Sequence, residues 1–228
     1  FLLPPKDQQA KIAELLWAID DMVDKDKEVQ QKTEKLFLSF SKNVFTESKG
    51  EKKELKDISE VIMGQSPPGK TYNENGDGFA FLQGNAEFGD RYPQNIKYTT
   101  APKKIAPKGS ILISVRAPVG DLNIANQDYC IGRGLAAIVI EDIGFREYIY
   151  NFLKFSEYEL NKYSGGSTFK AINKDKLSSL ELVMPSNGKI KNEVIGFRRL
   201  SETMNYSKNR IQQSNRLQKS LINEIFSP

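Results

Sequence analysis

The stretch ILISVRAPVGDLNIANQDYCIGRGLAAIVI, residues 111–140, holds two apolar runs of β-like texture, ILISV at 111–115 and LAAIVI at 135–140. Arg116 follows the first run, and Arg133 stands between Gly132 and Gly134 just before the second. Removing a guanidinium from water costs several kcal/mol unless a carboxylate, carbonyl or phosphate compensates, so each arginine is expected to meet a partner. Arg116 directly precedes Ala117-Pro118-Val119-Gly120, a turn-forming run. Its stem is therefore expected to stay packed while its head emerges at the domain edge.

The same texture continues on both sides. Between 56 and 185, glycine, proline and asparagine punctuate short runs such as FAFL at 79–82 and LELVM at 180–184, and REYIYNFLKF at 146–155 reads as a helix. Tyr148 or Ile149, Phe152 and Phe155 fall on one side of it. At 228 residues and 39% hydrophobic content the chain is long enough to bury a packed core. Its longest apolar run, at 135–140, is far short of the roughly 20 residues that span a bilayer, and no basic-then-apolar signal segment opens it. The expectation is a soluble, cytoplasmic protein with no membrane partner. Cys130 is the only cysteine, which excludes an internal disulfide framework. The absence of histidine removes the commonest general base and metal ligand.

Two long helices flank this domain. Residues 5–45 start at the Pro-Pro pair of positions 4 and 5 and contain no further proline and no glycine, predicting a helix of roughly 60 Å at 1.5 Å per residue. Leu15, Met22, Val29 and Leu36 recur every seven residues, with Ile19 and Phe40 on a second row that Asp26 and Thr33 interrupt. Residues 190–226 carry Phe197, Met204, Ile211 and Ile225 on one such row and Leu221 on the other. These residues predict an antiparallel coiled coil, because the chain must leave and re-enter one domain. The helices also resemble each other at an offset of 181 residues: LLP at 2–4 corresponds to VMP at 183–185, and Ile19 to Leu200. The fold class read from this is α+β, a globular domain plus two long helices. Its boundaries are 1–54 for the first helix and linker, 55–185 for the domain and 186–228 for the second helix.

No catalytic constellation converges in the chain: there is no P-loop, no nucleophile elbow and no clustered metal ligands. The charge pattern points instead to binding. The window 91–120 holds six lysines and arginines and no acid, and 160–174 is basic in the same way. Amides, hydroxyls and cations crowd the turn-rich segments. Gln65, Ser66, Lys70 and Tyr72 lie on 64–78; Asn85, Arg91, Tyr92, Lys97 and Thr99 on 83–100; Ser164, Ser167, Thr168 and Lys170 on 163–170. Such groups read base edges and hold phosphates, which favours DNA as the ligand. Arg91 is expected to read bases and Arg116 to hold phosphate. For Arg133 two readings stand, a structural pair with Glu141 or Asp128, or a DNA contact.

The segments IMGQSPPGKTYNENGDGFAFLQGNAEFGDRYP, ILISVRAPVGDLNIA, CIGRGLAAI and GGSTFKAINKDKLSSLELVMP resemble a target recognition domain of the specificity subunit of type I restriction-modification enzymes. The flanking helices, LPPKDQQAKIAELLWAIDDMV at 3–23 among them, resemble that subunit's conserved spacers. The resemblance implies a non-catalytic subunit that reads one half of a split double-stranded DNA site. It also implies docking to methylation subunits, which bring S-adenosylmethionine, and a restriction subunit that joins the assembly. For Arg116 it implies a scaffold or phosphate role, with variable base readers in the three loops. The family has two recognition domains alternating with two helices, whereas here one domain has both helices. Either the chain is the C-terminal part of a longer subunit, as Phe1-Leu2-Leu3 would suggest, or it is a half-subunit that self-associates. The competing readings are a coiled-coil adaptor that binds only protein and a standalone nuclease.

Overall fold

The computed structural model describes residues 4–47, 50–163, 171–185 and 187–226. Its elements in chain order are α1 (Lys6–Lys42), a π-turn (Asn43–Glu47), β1 (Glu51–Glu54), α2 (Leu55–Ile58), β2 (Glu60–Met63), β3 (Tyr72–Asn73), β4 (Phe79–Leu82), β5 (Tyr98–Thr99) and β6 (Ile105–Ala106). There follow β7 (Ile111–Ser114), β8 (Leu122–Ile124), β9 (Tyr129–Ile131), β10 (Leu135–Val139), α3 (Ile143–Tyr163), α4 (Lys174–Ser178), β11 (Glu181–Met184) and α5 (Asn187–Phe226). They form two compact units: the long helices up to Phe40 and from Ile195, and the domain Ser41–Val194. No helix among the described residues is long and apolar enough to cross a membrane.

The two apolar runs of the opening stretch become β7 and β10, which pair antiparallel with Ser114 opposite Leu135 and Ile111 opposite Ile138. They are the centre of a four-stranded sheet ordered β2-β10-β7-β8, and every residue of β7 is buried. Strands buried on both faces read as continuous apolar runs rather than alternating ones, which is why the pattern here is unbroken. A second sheet, ordered β3-β5-β4-β9-β6, holds one parallel pair, β4 with β9. Leu82, Ala106, Leu112, Tyr129, Ile131 and Leu135 close the core. Beside it Phe45 packs on Tyr148, Phe152 and Phe155, with ring centroids 5.2 to 5.8 Å apart. The Tyr148 hydroxyl donates to the Val183 carbonyl at 2.9 Å, and burial holds the phenol above its ordinary range. The domain opens and closes on one ladder, β1 antiparallel to β11, with Glu51 opposite Met184.

In the helical unit Phe37 and Phe40 pack edge-on against Phe197, Asp26 meets Arg210, and Asp20 accepts from Gln218. Partners on α5 advance as those on α1 recede, so the helices run antiparallel. Ile19 and Phe197 are buried as expected, and Phe40, Met204, Ile211, Leu221 and Ile225 are half-buried. The row Leu15, Met22, Val29 and Leu36 is a correction: these side chains are 43% to 59% exposed. The buried α1 seam is instead Ile19, Val23, Asp26, Thr33 and Phe37. Apolar content misassigned the row, because the seam itself carries polar groups. Asp26 keeps its place through Arg210, whose Nε lies 3.1 Å from Oδ2, and Thr33 donates to the Val29 carbonyl. The 181-residue offset carries Asp26 and Thr33 onto Ser207 and Ser214, which are buried too.

Breaking a buried ion pair costs more than replacing it whole. Arg210→Ala should therefore destabilise the helical unit by about 1–2 kcal/mol, discounted because Arg210 is partly exposed, whereas Asp26→Leu combined with Arg210→Leu should equal or exceed the parent. Urea unfolding followed by helical circular dichroism decides this. A double variant less stable than Arg210→Ala would contradict it.

Candidate nucleic-acid interface

The β7–β10 ladder runs one bond past its strands, where the Val115 amide donates to the Gly134 carbonyl at 2.8 Å. Gly132 to Leu135 is a tight turn closed by the Leu135 amide on the Gly132 carbonyl. Other segments fasten to the same turn. The Gln65 amide donates to the Ile131 carbonyl and the Gly64 amide to that of Leu135, both at 2.9 Å. The Gly132 amide donates to Leu82 at 2.7 Å. On the far side of Val115, the Ile172 amide donates to its carbonyl, and Arg116 forms a bridge with Ala171. The crossing needs glycine. A Cβ on Gly64 would stand 2.1 Å from the Gly132 oxygen, and one on Gly134 would stand 2.6 Å from the Gln83 oxygen. Both neighbours are backbone and cannot swing away.

Five segments distant in sequence thus meet at one edge, bringing Gln65, Ser66, Gln83, Arg116 and Arg133. All but half-buried Ser66, whose Oγ accepts from the Arg133 amide at 3.3 Å, are exposed. Both arginines are exposed: Arg116 because β7 ends at Ser114 just before the turn, as its place there predicts, and Arg133 because it lies on its own turn. Nor does Arg133 pair with Glu141 or Asp128: among the described residues no ion pair involves it. Lys70 is exposed on the Gly69–Thr71 turn, Tyr92 is exposed and Lys97 is half-buried.

Several residues expected at the interface serve the domain itself. Arg91 Nη2 lies 2.6 Å from both carboxylate oxygens of Glu147, and its guanidinium sits over the Tyr150 ring at 5.2 Å. Burial lowers its basicity, and the hydrogen bond and charge of Glu147 more than offset that, so the guanidinium stays above its ordinary range. It is not a free side chain entering a groove. Thr99 is fully buried, with Oγ1 2.8 Å from Thr71 Oγ1. Tyr72 donates to the Pro67 carbonyl and packs on Phe81. Asn85 donates to the Asp121 carboxylate. Ser164, Ser167, Thr168 and Lys170 lie outside the described residues.

The positioning groups Glu147, Asp121 and Asn123 were not singled out from sequence. Asn123, buried in the strand LNI, was the readable one, since a buried amide needs partners. Its side chain exchanges hydrogen bonds with the Gly89 backbone, at 2.9 Å to the carbonyl and 3.3 Å from the amide. With the Ile124 amide on the Arg91 carbonyl at 2.8 Å, these contacts fasten the 84–97 segment to β8 and α3. Cys130 is fully buried and its thiol is pushed up by that burial, away from nucleophilic use. Among the described residues no cluster of three potential metal-ligating side chains occurs.

A mixed domain interrupts a helix pair and presents an acid-poor polar edge. The family model for type I restriction modification DNA specificity domains matches residues 47–216, and the chain belongs to that family. It is 39% identical over 203 residues to a Methanocaldococcus jannaschii protein assigned as the MjaX specificity subunit of a type I restriction enzyme, covering 80% of this chain and 48% of that protein. It is 32% identical over 146 residues to the MjaIX specificity subunit of the same organism, covering 59% of this chain and 34% of that one. The crystal structure of the HsdS subunit from Thermoanaerobacter tengcongensis superposes with a TM-score of 0.73 at 32% identity, over 98% of this chain and 59% of that one. The chain spans about half the length of the curated relatives it matches, or less.

Two outcomes follow for the domain. Arg91→Ala should lower its stability by about 1 kcal/mol, discounted for the partly exposed guanidinium, and speed amide exchange at Gly89 and Ile124; exchange unchanged from the parent would show that no latch exists. Glu157, beside Gly120, has its carboxyl raised above the ordinary 4.5, first by burial and then by the charge of Asp121. A carboxyl raised on folding binds its proton more tightly in the folded chain. Its penalty is full above the folded pKa and gone below the unfolded one. Glu157→Gln should therefore raise the melting temperature near pH 7, with the gain fading as pH falls through the raised folded value and gone below about 4.5. A gain that grows on acidification would reverse the sign.

Proposed function

We propose that this chain is the part of a type I specificity subunit that reads one half of a bipartite double-stranded DNA site and docks methylation subunits. The observation that carries the reading is the glycine crossing, where exposed amides and two arginines without an ion-pair partner among the described residues emerge side by side from segments lacking acids. Family membership supports it, as does likeness to a structure from a study of complex assembly in a type I restriction-modification system, with a TM-score of 0.75 at 32% identity. The chain itself is non-catalytic in this reading. S-adenosylmethionine and the methyl transfer belong to the methylation subunits, and a restriction subunit joins the same assembly in the cytoplasm. The exposed row Leu15, Met22, Val29 and Leu36 offers those subunits an apolar helix face. A second recognition domain, in the same subunit or a second copy, reads the other half-site.

Selection from a random duplex library, with and without a methylation subunit, tests this. One short motif should be enriched, and the purified chain alone should transfer no methyl group and cut no DNA. If neither selection enriches a motif, the chain is a protein-binding adaptor.

A further inference from the structure

We propose that Arg116 and Arg133 act as one clamp that grips a single phosphodiester of the bound duplex, a role that rests on the DNA reading above. The backbone places them together. Val115 and Gly134 are hydrogen-bonded partners at the end of the β7–β10 ladder, and Arg116 and Arg133 are the next residues on those two chains. Both positions are fixed, Arg116 by its bridge to Ala171 and Arg133 by the amide bond to Ser66 Oγ and the Gly132–Leu135 turn.

The arginines of the domain divide cleanly. Arg91 and Arg146 share the Glu147 carboxylate, at 2.6 and 3.9 Å. Arg116 and Arg133 are exposed, and among the described residues neither side chain has an ion-pair or hydrogen-bond partner. Like charges on neighbouring chains repel, and this pair has no local relief. The converging segments 61–73, 79–86, 111–120, 129–140 and 171–174 contain no aspartate or glutamate. A phosphate from outside the chain would supply the anion that these segments lack. A base edge accommodates one bidentate arginine, whereas the oxygens of a phosphate accept from two planar forks at once. The geometry therefore favours backbone over base.

The test uses the full chain, with a methylation subunit if the parent requires it, on a duplex carrying the selected motif and on a random duplex. Arg116→Ala and Arg133→Ala should each weaken both duplexes alike and reduce the slope of log affinity against log salt by about one. Neutral methylphosphonates are then scanned along the selected duplex. At one position the substitution should weaken the parent about as much as either alanine variant does, and add nothing further to either variant. Arg→Lys versions should keep the salt slope and lose part of the affinity. Thermal melts confirm folding, and Arg→Gln versions replace any alanine version that unfolds.

Loss of discrimination with an unchanged slope would make these residues base readers and overturn the clamp. Different sensitive phosphates for the two arginines would overturn the shared grip. Unaltered binding in both variants, while the parent binds normally, would overturn the clamp and leave the DNA reading standing. A parent that binds no duplex under either condition overturns both.

Discussion

At one edge of the domain Gly64 passes the Gly132 backbone, and Gly134 passes the Gln83 backbone, more closely than a Cβ permits, and the rest of the domain is arranged around that approach. Gly64, Gly132 and Gly134 let β2, β10 and the ends of β4 and β9 bond across the point where the chain changes sheet. With side chains there, the neighbouring carbonyls would be pushed off and the two sheets would lose their shared corner. The same closeness packs residues from distant parts of the sequence into a small area, the edge proposed above to meet DNA. Rigid backbone also holds the polar groups in place before a ligand arrives, which lowers the ordering cost of binding.

Charge is distributed with the same economy in both units. In the domain one glutamate, Glu147, engages two arginines, and among the described residues the other two have no ion-pair partner. In the helix pair one buried aspartate faces one arginine, and the neighbouring polar seam positions are small hydroxyl residues. A seam of this kind contributes less burial than leucine would. It suits alignment better than strength, because a displaced register leaves Asp26 buried without Arg210.

The sequence made the long helices and the two apolar strands legible, because both depend on local periodicity. It misled where tertiary context outweighs it. The heptad row of Leu15, Met22, Val29 and Leu36 is richer in apolar residues than the buried row, so counting hydrophobic residues chose the wrong face. The acid-free window at 91–120 was real, yet Arg91 finds its carboxylate 56 residues away on α3, beyond any window. Arg116 and Arg133 drew notice for their apolar neighbours, and the turn that follows Arg116 already signalled that its head emerges; strand end and turn leave both in solvent. Their adjacency follows from strand register, which long-range pairing sets and composition does not disclose.

The ladder between β1 and β11 makes the domain's first and last strands hydrogen-bonded neighbours. A chain that splices in such a domain closes a loop whose ends are already together, so the host segments on either side bear little entropic penalty whatever length lies between. Everything from Leu55 to Leu180 is, in that sense, cargo inside a clasp. Exchange of the whole insert for another folded domain need satisfy only the clasp's own pairing, which would let the clasped surface diversify while the helices that carry it keep their sequence.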